Sequence, residues 1–189
     1  GVRPAIELIL RTMGAGARYY YQSDIKSFFT KIPTKTIVDT IHAETGDASL
    51  ACIFSKALAV NLANKSELLT YARLFPSDGI GVAQGSSLSA FAGNVLLYDF
   101  DHELNGLDVT AVRYIDDLLI VSTSESELER AKKFSELRLG SFGFSLYPPA
   151  PGSDKASQGR CEDAFKFLGC TLQPNRCVPT KPAIDRLIK

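Results

Sequence analysis

Residues 112–121 read VRYIDDLLIV, with two adjacent carboxylates, Asp116 and Asp117, set inside an otherwise apolar, β-branched and aromatic run. Such a run predicts a strand pair, 109–114 and 118–122, with Ile115, Asp116 and Asp117 at or near a tight turn. Two neighbouring carboxylates in that setting are costly unless something compensates their charge. A turn carrying bound divalent cations is the readiest compensation. The plainer account is a hairpin turn with acidic residues, since Asp is common in turns. Upstream, Asp24 closes the strand-like YYYQSD and offers a third carboxylate. Its plainer reading is a helix N-cap. Three carboxylates on two strands can hold two metals for phosphoryl transfer.

The flanking sequence predicts helices packed against a small antiparallel sheet, an α+β pattern. Residues 4–13 (PAIELILRTM) form an apolar-rich helix with Pro4 suited to its first turn, and GAGA at 14–17 breaks it. A strand led by Tyr19, Tyr20 and Tyr21 ends at SDI, and Pro33-Thr34 opens a short helix with Ile37, Val38 and Ile41 on one side. Residues 48–62 are a helix with Leu50, Ile53, Phe54, Ala57 and Leu58 at helical spacing. Residues 76–87 are a Gly-rich loop. Residues 88–104 return to helical periodicity, with Leu88, Phe91, Ala92 and Val95 on one face. Ser124 and Glu127 suggest a capping box for a helix over 125–139, whose apolar face uses Leu128, Ala131, Phe134 and Leu137. A Pro/Gly/Ser-rich loop, 147–159, carries Lys155. FKFLGCTL then reads as a strand, with QPNR as its turn into CVP.

The 189 residues are enough for one core, and 45% hydrophobic with 22% charged residues is ordinary for a globular protein. No apolar stretch approaches the roughly 18 residues a membrane span needs, and no basic segment followed by an apolar one marks a signal peptide. Lys+Arg and Asp+Glu are both 21, so a nucleic-acid-binding face must be local rather than global. Cys52, Cys161, Cys170 and Cys177 match no close metal-binding spacing, and free core thiols in a reduced, cytoplasmic protein are expected.

The order of motifs resembles the palm and part of the fingers of a reverse transcriptase, of the bacterial group II intron, retron and phage-defence assortment. DIKSFF at 24–29 is similar to the first catalytic motif, GVAQGSSLSAFAGNVLL at 81–97 to the second and YIDD at 114–117 to the third. GFSLYPPAPGSDK at 143–155 is loosely similar to the fourth, and FKFLG at 165–169 to the fifth, the primer-grip hairpin. The resemblance covers nearly the whole of 1–189. Ser87 and Ala90 stand where the second motif usually has Pro, which frees φ at the start of the following helix. The family's upstream fingers and downstream thumb are not matched, so a catalytic core is expected. Gly1 with Met13 as the only methionine, and a C-terminal helix of about two turns, fit that expectation.

The resemblance implies RNA-directed DNA synthesis from deoxynucleoside triphosphates, an RNA template and a DNA or RNA primer. It implies two Mg²⁺ ions, with Mn²⁺ as a substitute, held by Asp24, the Ile25 carbonyl, Asp116 and Asp117. It places Phe29 under the incoming sugar, where a ring leaves no room for a 2′-hydroxyl. Gln84 and Gly85 then meet the template or nascent pair, Asn94 faces the active side of its helix, and Lys155 assists the leaving group. Arg113 is either a partner for an acid or a template or structural contact. Protein-primed or untemplated DNA synthesis, and a palm that binds nucleic acid without catalysis, are the competing functions.

Overall fold

The computed structural model describes residues 1–60, 65–68, 70–71 and 79–187. These form two compact units, one of Gly1–Lys26 with Phe100–Lys189 and the other of Ser27–Asp99.

The first unit opens with α1 (Val2–Gly14), whose Ile6, Ile9 and Met13 recur at helical spacing and are buried. Its strand β1 (Tyr19–Asp24) leads directly out of the unit. The second unit holds α2 (Phe28–Lys31), α3 (Thr34–Thr45), α4 (Ala48–Leu58), α5 (Lys65–Leu68) and α6 (Ser87–Leu96). The chain then returns through α7 (Tyr98–Asn105), β2 (Thr110–Tyr114), β3 (Asp117–Ser122) and α8 (Glu125–Ser141). It finishes with β4 (Ala156–Arg160), β5 (Phe165–Phe167), β6 (Cys170–Gln173), β7 (Arg176–Pro179) and α9 (Lys181–Leu187).

The main sheet is antiparallel with order β2-β3-β1-β4, and β5-β6-β7 form a second, smaller sheet. Period-two alternation sends Tyr20, Leu119 and Val121 to one face, where they join Ile6, Ile9 and Met13 of α1 and Phe165, Phe167 and Leu172 of the small sheet. Tyr20 stacks on Phe165 with centroids 4.1 Å apart. Helix α8 packs against β1 and β3, with Leu128, Ala131 and Leu139 buried. The α+β expectation of a small antiparallel sheet packed against helices therefore holds.

Several boundaries differ from the sequence reading. Helix α4 ends at Leu58, short of 62, and residues 61–62 lie outside the described residues, as do 76–78 of the Gly-rich loop. Its buried residues are Ala51 and Leu58, whereas Ile53 is 63% exposed. The span 88–104 is two helices, divided at Leu97. The buried face of α6 is Ser89, Ala92, Gly93 and Leu96, with Phe91 exposed. The cause is Gly93, where a Cβ would stand 2.6 Å from the ring of buried Phe28. In α8 the core uses Ser135 and Leu139, while Leu137 is exposed; Ser135 returns its hydroxyl to the Ala131 carbonyl, which makes a buried serine tolerable. Ser124 is the N-cap without a side-chain cap bond, so the expected capping box does not form. FKFLGCTL is a hairpin, β5 and β6 around Leu168-Gly169, and both turn residues have positive φ. Strand β4 had no counterpart in the sequence reading. All four cysteines are free, but only Cys161 is buried. No helix among the described residues is long and apolar enough to cross a membrane.

Candidate active site

Within the first unit, β1 and β3 bring their acids together by register. Asp24 pairs with Asp117 across the antiparallel ladder, and Tyr114 pairs with Asp117 on the other side. That leaves Ile115-Asp116 as a two-residue hairpin loop. Asp117 lies on the strand face of Asp24 and shares a side-chain hydrogen bond with it, while Asp116 sits in the turn.

Backbone bonds fix this arrangement. The Ile25 N–H donates to the Asp116 carbonyl (2.8 Å), the Asp24 N–H to the Lys155 carbonyl (2.9 Å) and the Lys26 N–H to the Ser145 carbonyl (2.8 Å). Buried Ser23 accepts from the Tyr147 N–H (2.9 Å) and donates to the Tyr147 carbonyl (3.1 Å), tying the Pro-rich segment to β1. Lys155, at the threshold of β4, donates from Nζ to Asp24 Oδ2 at 2.5 Å.

The electrostatics follow from crowding. Burial raises the Asp116 carboxyl above its ordinary value, Asp24 adds to the shift and Lys155 opposes it. Asp117 is pushed up to about 7, first by burial, then by the hydrogen bond and charge of Asp24 and the charge of Asp116. Lys155 is raised by its bond to Asp24, which keeps it an ammonium. An open cleft of about 220 Å³ runs past Asp24, Asp117 and Lys155 to Lys166, Phe167 and Gly169 of the β5–β6 hairpin. Among the described residues, no three His, Cys, Asp or Glu side chains stand arranged as a metal-binding group. Here the Lys155 ammonium is the cation on Asp24.

Sequence reasoning left Arg113 undecided. Its side chain is 3% exposed and forks onto Asp101 of α7, Nε to Oδ1 at 2.9 Å and Nη2 to Oδ2 at 2.5 Å. Its Nη1 donates to the Ile115 carbonyl at 2.8 Å. Ser23 was missed because a strand serine carries no signal of its own.

The remaining candidates lie in the second unit. Phe29 is half-buried on α2, with its ring 5.5 Å from that of Phe28, and its carbonyl accepts from the Val82 N–H (2.8 Å). Gln84 and Gly85 are exposed in the loop before α6. Gly85 has φ +84° and open space where a Cβ would stand, so its backbone conformation is what calls for glycine. Ser89 anchors that loop through its hydroxyl on the Ala83 carbonyl (2.6 Å). Asn94 is exposed midway along α6.

The sequence profile described as "Reverse transcriptase (RNA-dependent DNA polymerase)" matches residues 6–172. No curated protein gives a significant sequence match. Among solved structures, apo telomerase from Candida tropicalis aligns over 91% of this chain and 35% of its own, with TM-score 0.59 and 16% identity. A form of that enzyme truncated from its C-terminal domain aligns over 95% and 40%, with TM-score 0.58 and 14% identity. Telomerase from Candida albicans, in complex with a TWJ fragment of telomeric RNA, aligns over 95% and 34%, with TM-score 0.60 and 13% identity. These likenesses are of fold, and the chain spans 34% to 40% of those proteins' lengths.

Proposed function

This chain belongs to the reverse transcriptase (RNA-dependent DNA polymerase) family, and from that premise we propose that it carries the catalytic core of an RNA-directed DNA polymerase. The observation that carries the reading is that Asp24 and Asp117, paired across the ladder, line an open cleft with Lys155, and that Asp116 sits in the adjoining turn. An all-oxygen carboxylate set suits a hard divalent cation, and a cation there would relieve the upward push on Asp117 that comes first from burial and then from Asp24 and Asp116. Asp24, Asp116, Asp117 and the Ile25 carbonyl are the groups that would hold two Mg²⁺ ions, or Mn²⁺ in their place. Such ions activate a primer hydroxyl and neutralise a triphosphate.

The chain's own residues do the rest. The Lys155 ammonium, kept protonated beside Asp24, donates to the departing pyrophosphate. Phe29 stands under the incoming sugar and excludes a 2′-hydroxyl. Gln84 meets the nascent pair, Gly85 supplies the left-handed turn its loop needs, and Asn94 faces the nucleotide. An RNA template, a DNA or RNA primer and deoxynucleoside triphosphates are the partners.

Primer extension by the full chain tests this, using an RNA template, a DNA primer, Mg²⁺ and either deoxy- or ribonucleotides. Extension with deoxynucleotides only, reduced on the order of a hundredfold or more by Asp116→Asn, supports it. Equal extension by Asp116→Asn, or none by the wild type with any template or primer, sinks it.

A further inference from the structure

Ile115 has φ +61° in a two-residue hairpin loop that contains neither glycine nor asparagine. A β-branched residue in the left-handed region is a genuine outlier, and such strain persists only where the surroundings over-determine it. In the β5–β6 loop the first residue, Leu168 (φ +47°), is also not glycine, but it is not β-branched and Gly169 (φ +77°) follows it. The Ile115-Asp116 loop must therefore be held from outside.

The holder is visible. Asp101 and Asn105 lie one turn apart on α7, and Ala111 and Arg113 lie two residues apart on β2. Those two spacings match, at about 6 Å along a helix and about 7 Å along a strand. Asn105 makes two hydrogen bonds to the Ala111 backbone, accepting from its N–H (2.9 Å) and donating to its carbonyl (3.1 Å). Asp101 takes the fork of Arg113. With α7 docked by buried Phe100 and Leu104, the guanidinium has a fixed place, from which Nη1 grips the Ile115 carbonyl. The next carbonyl, that of Asp116, receives the Ile25 N–H. The bonds thus run without a gap from α7 to the backbone that links both acid-bearing strands.

We propose that Asp101 and Arg113 are positioning residues: they clamp Ile115 in its left-handed conformation and so set where Asp116 and Asp117 stand relative to Asp24. The catalytic half of this inference rests on the polymerase reading; the clamping half does not. A salt bridge alone could be kept by lysine, but lysine cannot fork onto Asp101 and reach the Ile115 carbonyl together.

The test is a double-mutant cycle in the full chain with two readouts. Arg113→Gln is combined with Ile115→Gly, because glycine takes positive φ without strain. The first readout is amide exchange of the Ile25 N–H, which does not depend on catalysis. Arg113→Gln is expected to speed it about tenfold or more, and Ile115→Gly to restore most of the protection in the double variant. The second is primer extension, where Arg113→Gln and Arg113→Lys lower kcat about tenfold or more with KM for nucleotide nearly unchanged. Ile115→Gly recovers the greater part. If Arg113→Gln does not fold, Asp101→Asn, which keeps the shape and loses the charge, takes its place in the same cycle. Equal losses of protection with Ile115 and with Ile115→Gly overturn the clamp, and equal losses of kcat alone overturn its role in catalysis. Rescue of exchange in a protein that extends no primer would uphold the clamp and overturn the polymerase reading.

Discussion

In the sheet-bearing unit the conspicuous residues are acids pressed against one another, with Asp24 opposite Asp117 and Asp116 in a strained turn beside them. In the helical unit, Ser27–Asp99, they are an aromatic, a glutamine, a glycine and an asparagine on ordinary helices and loops. The first unit works against its own stability, since it crowds half-buried like charges and places isoleucine where glycine fits better. The second follows local rules more closely, with Gly46 ending α3 in the left-handed region and Asp47 capping α4 through the Ser49 and Leu50 N–H groups, and its one non-glycine at positive φ among the described residues is Ser27, small and exposed at the start of α2. Departures from local rules that are held by extra contacts mark where a fold has been spent on function.

Substitutions can break that contrast. The largest effect expected in the helical unit is on selectivity, not stability. Phe29→Val should admit ribonucleotides, narrowing the deoxy-to-ribo preference in kcat/KM by about ten- to a hundredfold in primer extension. An unchanged preference would remove Phe29 from the site and leave it a packing residue. Next comes Gly93→Ala, whose Cβ would stand 2.6 and 2.7 Å from atoms of the buried Phe28 ring. Overpacking there should cost about 1–3 kcal/mol of stability, read from the urea midpoint. A neutral result would mean that Phe28 swings aside freely and that α6 is not seated by close contact.

The same contrast explains what was legible in the sequence. The sheet strands carrying Tyr19–Tyr21 and Leu118–Val121 announced themselves through β-branched and aromatic runs, and the acids stood out against them. Strand β4, ASQGR, has no such residue. It is a strand because it pairs with β1 at the sheet edge, and pairing is not a local property. The faces of α4 and α6 were misread for a related reason. Periodicity placed Ala92 correctly but also favoured the large residues Ile53 and Phe91, whereas packing buried Ala51 and Gly93, the latter hard against the Phe28 ring. At the site, residue types were readable but partners were not. Lys155 finds Asp24 across 131 residues, and Arg113 finds Asp101 on a separate helix. Nothing in VRYIDD says that Ile115 must turn left-handed, because the sequence lacks the glycine that normally gives that signal.

The smallest effect sharpens the comparison most directly, since it measures what the acid cluster costs the fold. The Asp117 carboxyl is pushed up to about 7 by burial and by Asp24, while an unfolded Asp ionises near pH 3.9. Between those values the folded chain keeps a proton that the unfolded chain has released, so ν_N exceeds ν_U and stability falls as pH rises. The stabilisation is complete below about pH 4 and gone above about pH 7. Asp117→Asn removes the titrating group but keeps the shape. In chelator, the wild-type melting temperature should therefore fall from pH 5 to pH 8 by a few degrees more than that of Asp117→Asn, a difference of about 1 kcal/mol after solvent screening. Added Mg²⁺ at pH 8 should narrow the gap by neutralising the cluster. Parallel melting curves across the pH range would mean that Lys155 already balances the acids. The strain of the sheet-bearing unit would then lie in its Ile115 backbone rather than in its charges.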